Sequence, residues 1–179
     1  EEQGWSLLIF KKVSGKKGIR QRVQSSKPQA CIVRYGAMGD MIIVTPLIRK
    51  LAEEGYEVTV NATSYSVAIL ENNPWVANVV CQEREAIPNE YGELDEYWGI
   101  WKPRYDRYIN LSESLEGALL KVEGRREFFT HQAWRHERCN KNYYDYTMAL
   151  GGYPEVTGRR GELYFTDEER RGARRLKKE

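Results

Sequence analysis

A chain of 179 residues that is 41% hydrophobic and 30% charged has the composition of one globular domain with a full core, which excludes collagen-like, low-complexity and disordered classes. No apolar run approaches the ~20 residues that span a bilayer, and Ser6–Phe10 is too short for a span or a signal segment. Three cysteines without framework spacing (Cys31, Cys81, Cys139) point to a reducing cytoplasm, and the net charge of +2 matters only through its distribution: 11–22 and 159–178 are basic, 82–96 acidic.

Residues 1–28 read as a basic N-terminal arm ending in linker chemistry, Ser25-Ser-Lys-Pro28, with a short hairpin around Ser6–Val13. Strands and helices then alternate from 29 to 165. Ala30–Arg34 is a predicted strand, Asp40–Glu54 a helix, Glu57–Asn61 a strand, and Ser64–Glu71 a short helix stopped by Asn72-Asn73-Pro74. Asn78–Cys81 is a strand, Leu94–Lys102 a helix ended by Pro103, and Arg107–Leu111 a strand. Glu116–Val122 and Asn142–Leu150 are helical, the latter closed by Gly151-Gly152. Leu163–Phe165 is expected as a last strand. Residues 166–179 form a charged helix opened by Thr166 or Asp167 as N-cap. The alternation predicts an α/β, Rossmann-like parallel sheet with helices on both faces, binding ligands beyond the carboxyl ends of its strands.

The densest signal is Ala30-Cys-Ile-Val-Arg-Tyr-Gly36-Ala-Met-Gly39-Asp40, a buried strand, a Gly-rich turn and a helix start. Such a layout holds ligands against backbone N–H groups. Asp40 is foreign to a phosphate cradle, since two anions repel. A carboxylate there suits accepting a proton from a hydroxyl, or simply capping the helix, and the residues alone leave both open. Thr45-Pro46 reads as setting the first helix. Asn110, Ser112 and Glu113 follow a strand on the same rim, placed to bind sugar hydroxyls or to cap the next helix; Ser64 and Tyr65 sit similarly. The His131, His136 and Cys139 spacing matches no recognised zinc set, so no metal is expected. Arg125, Arg126, Arg135 and Arg138 make a basic face that is either solvated or matched to carboxylates and phosphates. Tyr97, Trp98 and Trp101 are spaced like one buried helix face, core rather than sugar platform, and specific nucleic-acid binding has no support.

The segment Arg34–Arg49 resembles the N-terminal signature of the lipopolysaccharide heptosyltransferases, glycosyltransferase family 9. The resemblance continues through Gly55–Asn61, Leu70–Val80 and Tyr105–Leu111 and covers roughly residues 29–170. It implies the acceptor-binding, N-terminal half (29–165) of a two-domain GT-B enzyme. The helix at 166–179 then leads toward a donor-binding domain of about 150–170 further residues. The implied reaction transfers a sugar, heptose from ADP-heptose, to a hydroxyl of a lipopolysaccharide-core-like acceptor, with the nucleotide sugar as substrate and no cofactor. The implied general base is Asp40. Gly36, Ala37, Met38 and Gly39 line the substrate cleft, with Gly39 offering its N–H and Met38 shaping the wall; at Gly36-Ala37 some relatives carry hydroxyl residues. A lipid-linked or oligosaccharide acceptor places the protein in the cytoplasm, peripheral to the anionic inner membrane face. Such a half is expected to be inactive alone. The competing expectation is a non-catalytic Rossmann-like module that binds a sugar or nucleotide.

Overall fold

The computed structural model describes residues 9–11, 26–83, 86–88, 91–112 and 131–177. The strands β1 (Ile9–Lys11), β2 (Gln29–Arg34), β3 (Glu57–Thr63), β4 (Asn78–Gln82) and β5 (Arg107–Asn110) form a five-stranded sheet in the order β1-β4-β3-β2-β5. The four body strands β2 to β5 are mutually parallel. Each β strand of the body is followed by a helix where the residues are described: α1 (Met38–Glu53) after β2, α2 (Ser64–Leu70) after β3, and α3 (Tyr91–Trp101) after β4. Among the described residues three more helices follow, α4 (Gln132–Cys139), α5 (Tyr143–Leu150) and α6 (Asp167–Leu176). The fold is α/β and Rossmann-like, as the alternating pattern requires.

Period-two alternation in β2 divides the core between the two faces. Ala30 and Ile32 pack with Val58, Val60 and Ala62 under α1, α2 and α5, whose Met41, Val44, Leu47, Leu70 and Met148 are buried there. Cys31 and Val33 point the other way, into Leu94, Tyr97, Trp98 and Trp101 of α3. The aromatic trio therefore packs as core. Trp98 lies edge-on to Tyr97, with ring centroids 4.8 Å apart.

Pro46 sits inside α1, where it has no N–H to give the Ile42 carbonyl one turn back. The Thr45 hydroxyl donates to that carbonyl instead, at 2.8 Å, and its oxygen accepts the Glu162 N–H at 2.8 Å. A strap, residues 157–166, is thereby fastened along α1. Glu162 also pairs with Arg49 at 2.9 Å, and Trp75 Nε1 donates to the Tyr164 hydroxyl at 3.0 Å. At Gly161 the approach is so close that an added Cβ would lie 2.2 Å from Ile42 Cγ2.

At the amino end of the sheet, Arg107 of β5 donates to the Tyr153 hydroxyl at 2.7 Å and to the Gly151 carbonyl, and Tyr153 donates to Glu54 beyond α1. Lys50 pairs with Glu54 at 3.2 Å. Gly152, at φ +90°, makes the left-handed turn that closes α5 and brings Tyr153 under this cluster.

Several expectations are corrected. Leu163–Phe165 is no strand: its segment bonds to α1, on a face of the sheet rather than at an edge, and Leu163 and Phe165 are exposed. Within the expected hairpin around Ser6–Val13 only Ile9–Lys11 is described, and it pairs antiparallel with β4, covering an edge that would otherwise present unpaired backbone groups. Helix α4, over residues to which the sequence pattern assigns no element, has its start capped by the His131 ring, which accepts the Ala133 N–H. Pro103 falls in a 3₁₀ turn, Lys102–Arg104, that ends α3. The helix expected at Glu116–Val122 lies outside the described residues. No helix among those described is long and apolar enough to cross a membrane.

Candidate active site

From β2 the chain moves outward through β3 to β4, with α1 and α2 on one face, and returns on the other face through α3 to β5. The strand order therefore reverses between β2 and β5, and an open α/β sheet takes its ligand outside the strand ends at such a switch point. Asp40 stands at this switch point.

Arg34, the last residue of β2, shares the parity of Ala30 and Ile32 and so lies on the α1 side. Its guanidinium is 3% exposed. Nη2 meets Asp40 Oδ1 at 2.7 Å, and Nη1 donates to the Leu111 carbonyl, just past β5, at 3.1 Å. The second carboxylate oxygen, Oδ2, accepts the Ala37 N–H at 2.9 Å, which closes the first turn of α1. The Asp40 side chain still keeps 31% of its surface in solvent. Capping and ion pairing thus hold the carboxylate, which stays part-exposed beside the ends of β2 and β5.

The turn beneath is built for this. An added Cβ at Gly36 would lie 2.6 Å from Asp40 Oδ2, so only glycine lets the carboxylate lie over the backbone there. The Gly36 carbonyl accepts the Thr63 hydroxyl at the end of β3. Ala37 is exposed beside the carboxylate; Met38 is 52% exposed on the first turn, and Gly39 faces open space. Ser64 and Tyr65 are exposed at the start of α2.

On the β5 rim, the Ser112 hydroxyl oxygen accepts the Tyr35 N–H at 2.6 Å, and Asn110 Oδ1 accepts the Ser112 N–H at 3.0 Å. Both side chains shape the loop; Ser112 is buried and Asn110 is half-buried. Glu113, Arg125 and Arg126 lie outside the described residues, as do the side chains of Arg135, Arg138 and Cys139. Among the described residues no cluster of three His, Cys, Asp or Glu side chains is arranged to hold a metal ion.

Below the switch point, on the α3 side, the Tyr35 hydroxyl donates to Asn61 Oδ1 at 3.0 Å and lies 2.9 Å from the Tyr97 hydroxyl. Burial and then the neighbouring Tyr97 hydroxyl push the Tyr35 phenol far above its usual range, and burial raises Tyr97, so both stay neutral. Burial likewise pushes the Cys31 thiol up to about 12, leaving it inert. Sequence reasoning gave no role to Arg34, Tyr35 or Thr63. The available signal for Arg34 was an arginine at the end of an apolar strand, six residues before a first-turn acid.

The same architecture occurs in a solved structure of a family 9 glycosyl transferase from Veillonella parvula DSM 2008. The fold is shared. The TM-score is 0.54 at 14% identity, over 88% of this chain and 51% of that one, so this chain spans about half the length of its structural neighbour. No protein-family model and no curated protein matches the chain.

Proposed function

We propose that this domain is the acceptor-side half of a glycosyltransferase and that Asp40 is its general base. The acceptor hydroxyl oxygen bonds to the anomeric carbon, the bond from that carbon to the nucleoside diphosphate breaks, and the hydroxyl proton passes to Asp40. A carboxylate already held by Arg34 suffices as base, because the proton need leave only as the new bond makes the hydroxyl acidic. The observation carrying this reading is the oriented, part-exposed carboxylate at the switch point. The signature Arg34–Arg49 and the shared fold support it. In the finer reading the donor is ADP-heptose, bound by a second domain whose helix N-terminus and basic side chains take the leaving diphosphate without a metal. The acceptor is then a lipid-linked or oligosaccharide lipopolysaccharide core. Arg170, Arg171, Arg174 and Arg175 on exposed α6 suit an anionic membrane surface on the cytoplasmic side. Ala37, Met38 and Gly39 contact the acceptor, and the α3 face serves as structure. This domain alone turns over no nucleotide sugar.

The test is Asp40→Asn in the full-length protein, assayed by mass spectrometry against a nucleotide-sugar panel. Rate per folded molecule is expected to fall about 10²–10⁴-fold. The amide keeps the size of the carboxylate and one acceptor oxygen, enough for Ala37 N–H or for Arg34 but not for both, and it cannot take a proton. The competing reading, a binding module in which Asp40 only caps α1 and neutralises Arg34, draws on the engagement of both carboxylate oxygens. Such a module predicts no turnover by the wild type; capping alone within an active enzyme predicts a stability cost of up to about 3–5 kcal/mol for the unpaired buried arginine and no loss of rate per folded molecule. Retention of more than about half the wild-type kcat rejects Asp40 as base.

A further inference from the structure

We infer that Arg34 is the positioning residue for this chemistry, a buried fork that fixes the Asp40 carboxylate and ties it to the β5 rim; the inference rests on the reading of Asp40 as base. The geometry divides the two carboxylate oxygens. Oδ1 faces inward to Arg34 Nη2 at 2.7 Å, and Oδ2 is held by the Ala37 N–H at 2.9 Å. With one restraint the carboxylate rotates about its own bond; with two its plane is set. The side chain keeps 31% of its surface in solvent, open to a hydroxyl beyond the strand ends. A reacting group misplaced by about 1 Å costs on the order of 10²-fold in rate, so this second restraint matters even where the fold does not need it.

Arg34 does not owe its place to stability. A guanidinium only 3% exposed has given up most of its hydration, and a buried ion pair returns little beyond that cost. A long apolar side chain would continue the Ala30 and Ile32 stripe with less loss. The planar fork does what an apolar chain, or the point charge of a lysine, does not. It reaches Asp40 with one nitrogen and the Leu111 carbonyl with the other, bridging the α1 turn and the loop after β5. Those are the two neighbouring strand ends of the switch point. Ser112, the next residue, is fixed to Tyr35 N–H, and Tyr35 follows Arg34, so the bridge is repeated one residue on. Of these links between the two strand ends, Arg34 is the one that ends on the Asp40 carboxylate.

The experiment is a double-mutant cycle on kcat in the full-length protein, using the nucleotide-sugar panel with release of nucleoside diphosphate as the readout. Arg34→Met is expected to lower kcat at least about tenfold with KM within about twofold. In the Asp40→Asn background the same change should alter kcat by less than about twofold, because a positioner has nothing left to position. Arg34→Lys should fall between wild type and Arg34→Met, retaining a charge for Asp40 but losing the second contact. Arg34→Met with wild-type kcat overturns the inference, as does an equal fall in both backgrounds, which marks a merely structural role. If Arg34→Met shows no cooperative thermal transition, Arg34→Lys carries the cycle by the same criterion. Unchanged kcat in Asp40→Asn alone, or no turnover by the wild type, overturns the proposed function and this inference with it. A rate lost in Asp40→Asn with additive Arg34 effects overturns this inference only.

Discussion

Thr63 Oγ1 donates to the Gly36 carbonyl at 3.2 Å, so the end of β3 holds the turn over which the Asp40 carboxylate lies. That turn has no room for a methyl group. Gly36→Ala should bring its Cβ within 3 Å of Asp40 Oδ2, Cβ and Cγ, and the carboxylate must swing out. The expected cost is about 1–3 kcal/mol in chemical denaturation. A crystal structure of the variant should show the contact between Ala37 N–H and Asp40 broken; an unmoved carboxylate would refute the account of this turn.

Removing the Thr45 hydroxyl should loosen a segment far from it in sequence. Thr45→Val leaves the Ile42 carbonyl and the Glu162 N–H without their buried partner, at a cost of about 1–3 kcal/mol. Amide exchange should quicken at Glu162 while β2 and β3 stay protected. Exchange that is unchanged at Glu162 would show that the strap is held by Arg49 and Trp75 alone.

The cluster at the amino end of the sheet gives a pH signature. The Tyr153 hydrogen bond, followed by Lys50 and Arg107, holds the Glu54 carboxyl below its ordinary 4.5. A depressed carboxyl lends stability above its unfolded value and loses it as pH falls through the folded one, so this contribution fades below about pH 4.5. Burial and then Glu54 push the Tyr153 phenol up to about 12. A raised phenol lends full stability below its unfolded value of 10 and loses it as pH climbs from there toward 12. Tyr153→Phe should remove about 1 kcal/mol near neutrality and flatten both limbs of the stability curve. A thermal-melt series across pH tests this: a variant curve parallel to wild type would contradict the coupling.

Deleting residues 1–26 removes β1 but none of the four parallel strands. Its three register pairs lie on an edge, Ile9 to Val80, Phe10 to Val79 and Lys11 to Asn78. The melting temperature should drop by no more than about 5 °C. A larger fall would make the arm part of the core.

What was legible in the sequence follows local periodicity. The alternation in β2, the breakers after α2 and the caps of α5 and α6 are short-range signals; Asn142 indeed accepts the Tyr144 and Asp145 N–H groups, and Thr166 forms a capping box with Glu169. The strap reads as a strand because Leu163 and Phe165 alternate with polar neighbours, although its bonding partner, Thr45, is distant in sequence. Extended structure at Ile9–Lys11 was legible but its partner was not, because an edge strand of three residues carries almost no pairing pattern. At the site, Asp40 is conspicuous as an acid beside glycines. Arg34 is not, because the burial that defines its role arises only when β5 and α1 close around it.

Pro46 has an influence well beyond its own turn. By leaving one carbonyl of α1 without its usual donor, it recruits Thr45, whose oxygen becomes a single peg for an N–H 117 residues further along. A peg of this kind permits no sliding: a shift of one residue would carry Gly161 away from the spot where no Cβ fits. The direction in which the chain leaves toward α6 is therefore set by a proline in the first helix. Any exchange at Thr45 or Pro46 should be felt first as a change of aim in that exit, before the sheet itself responds.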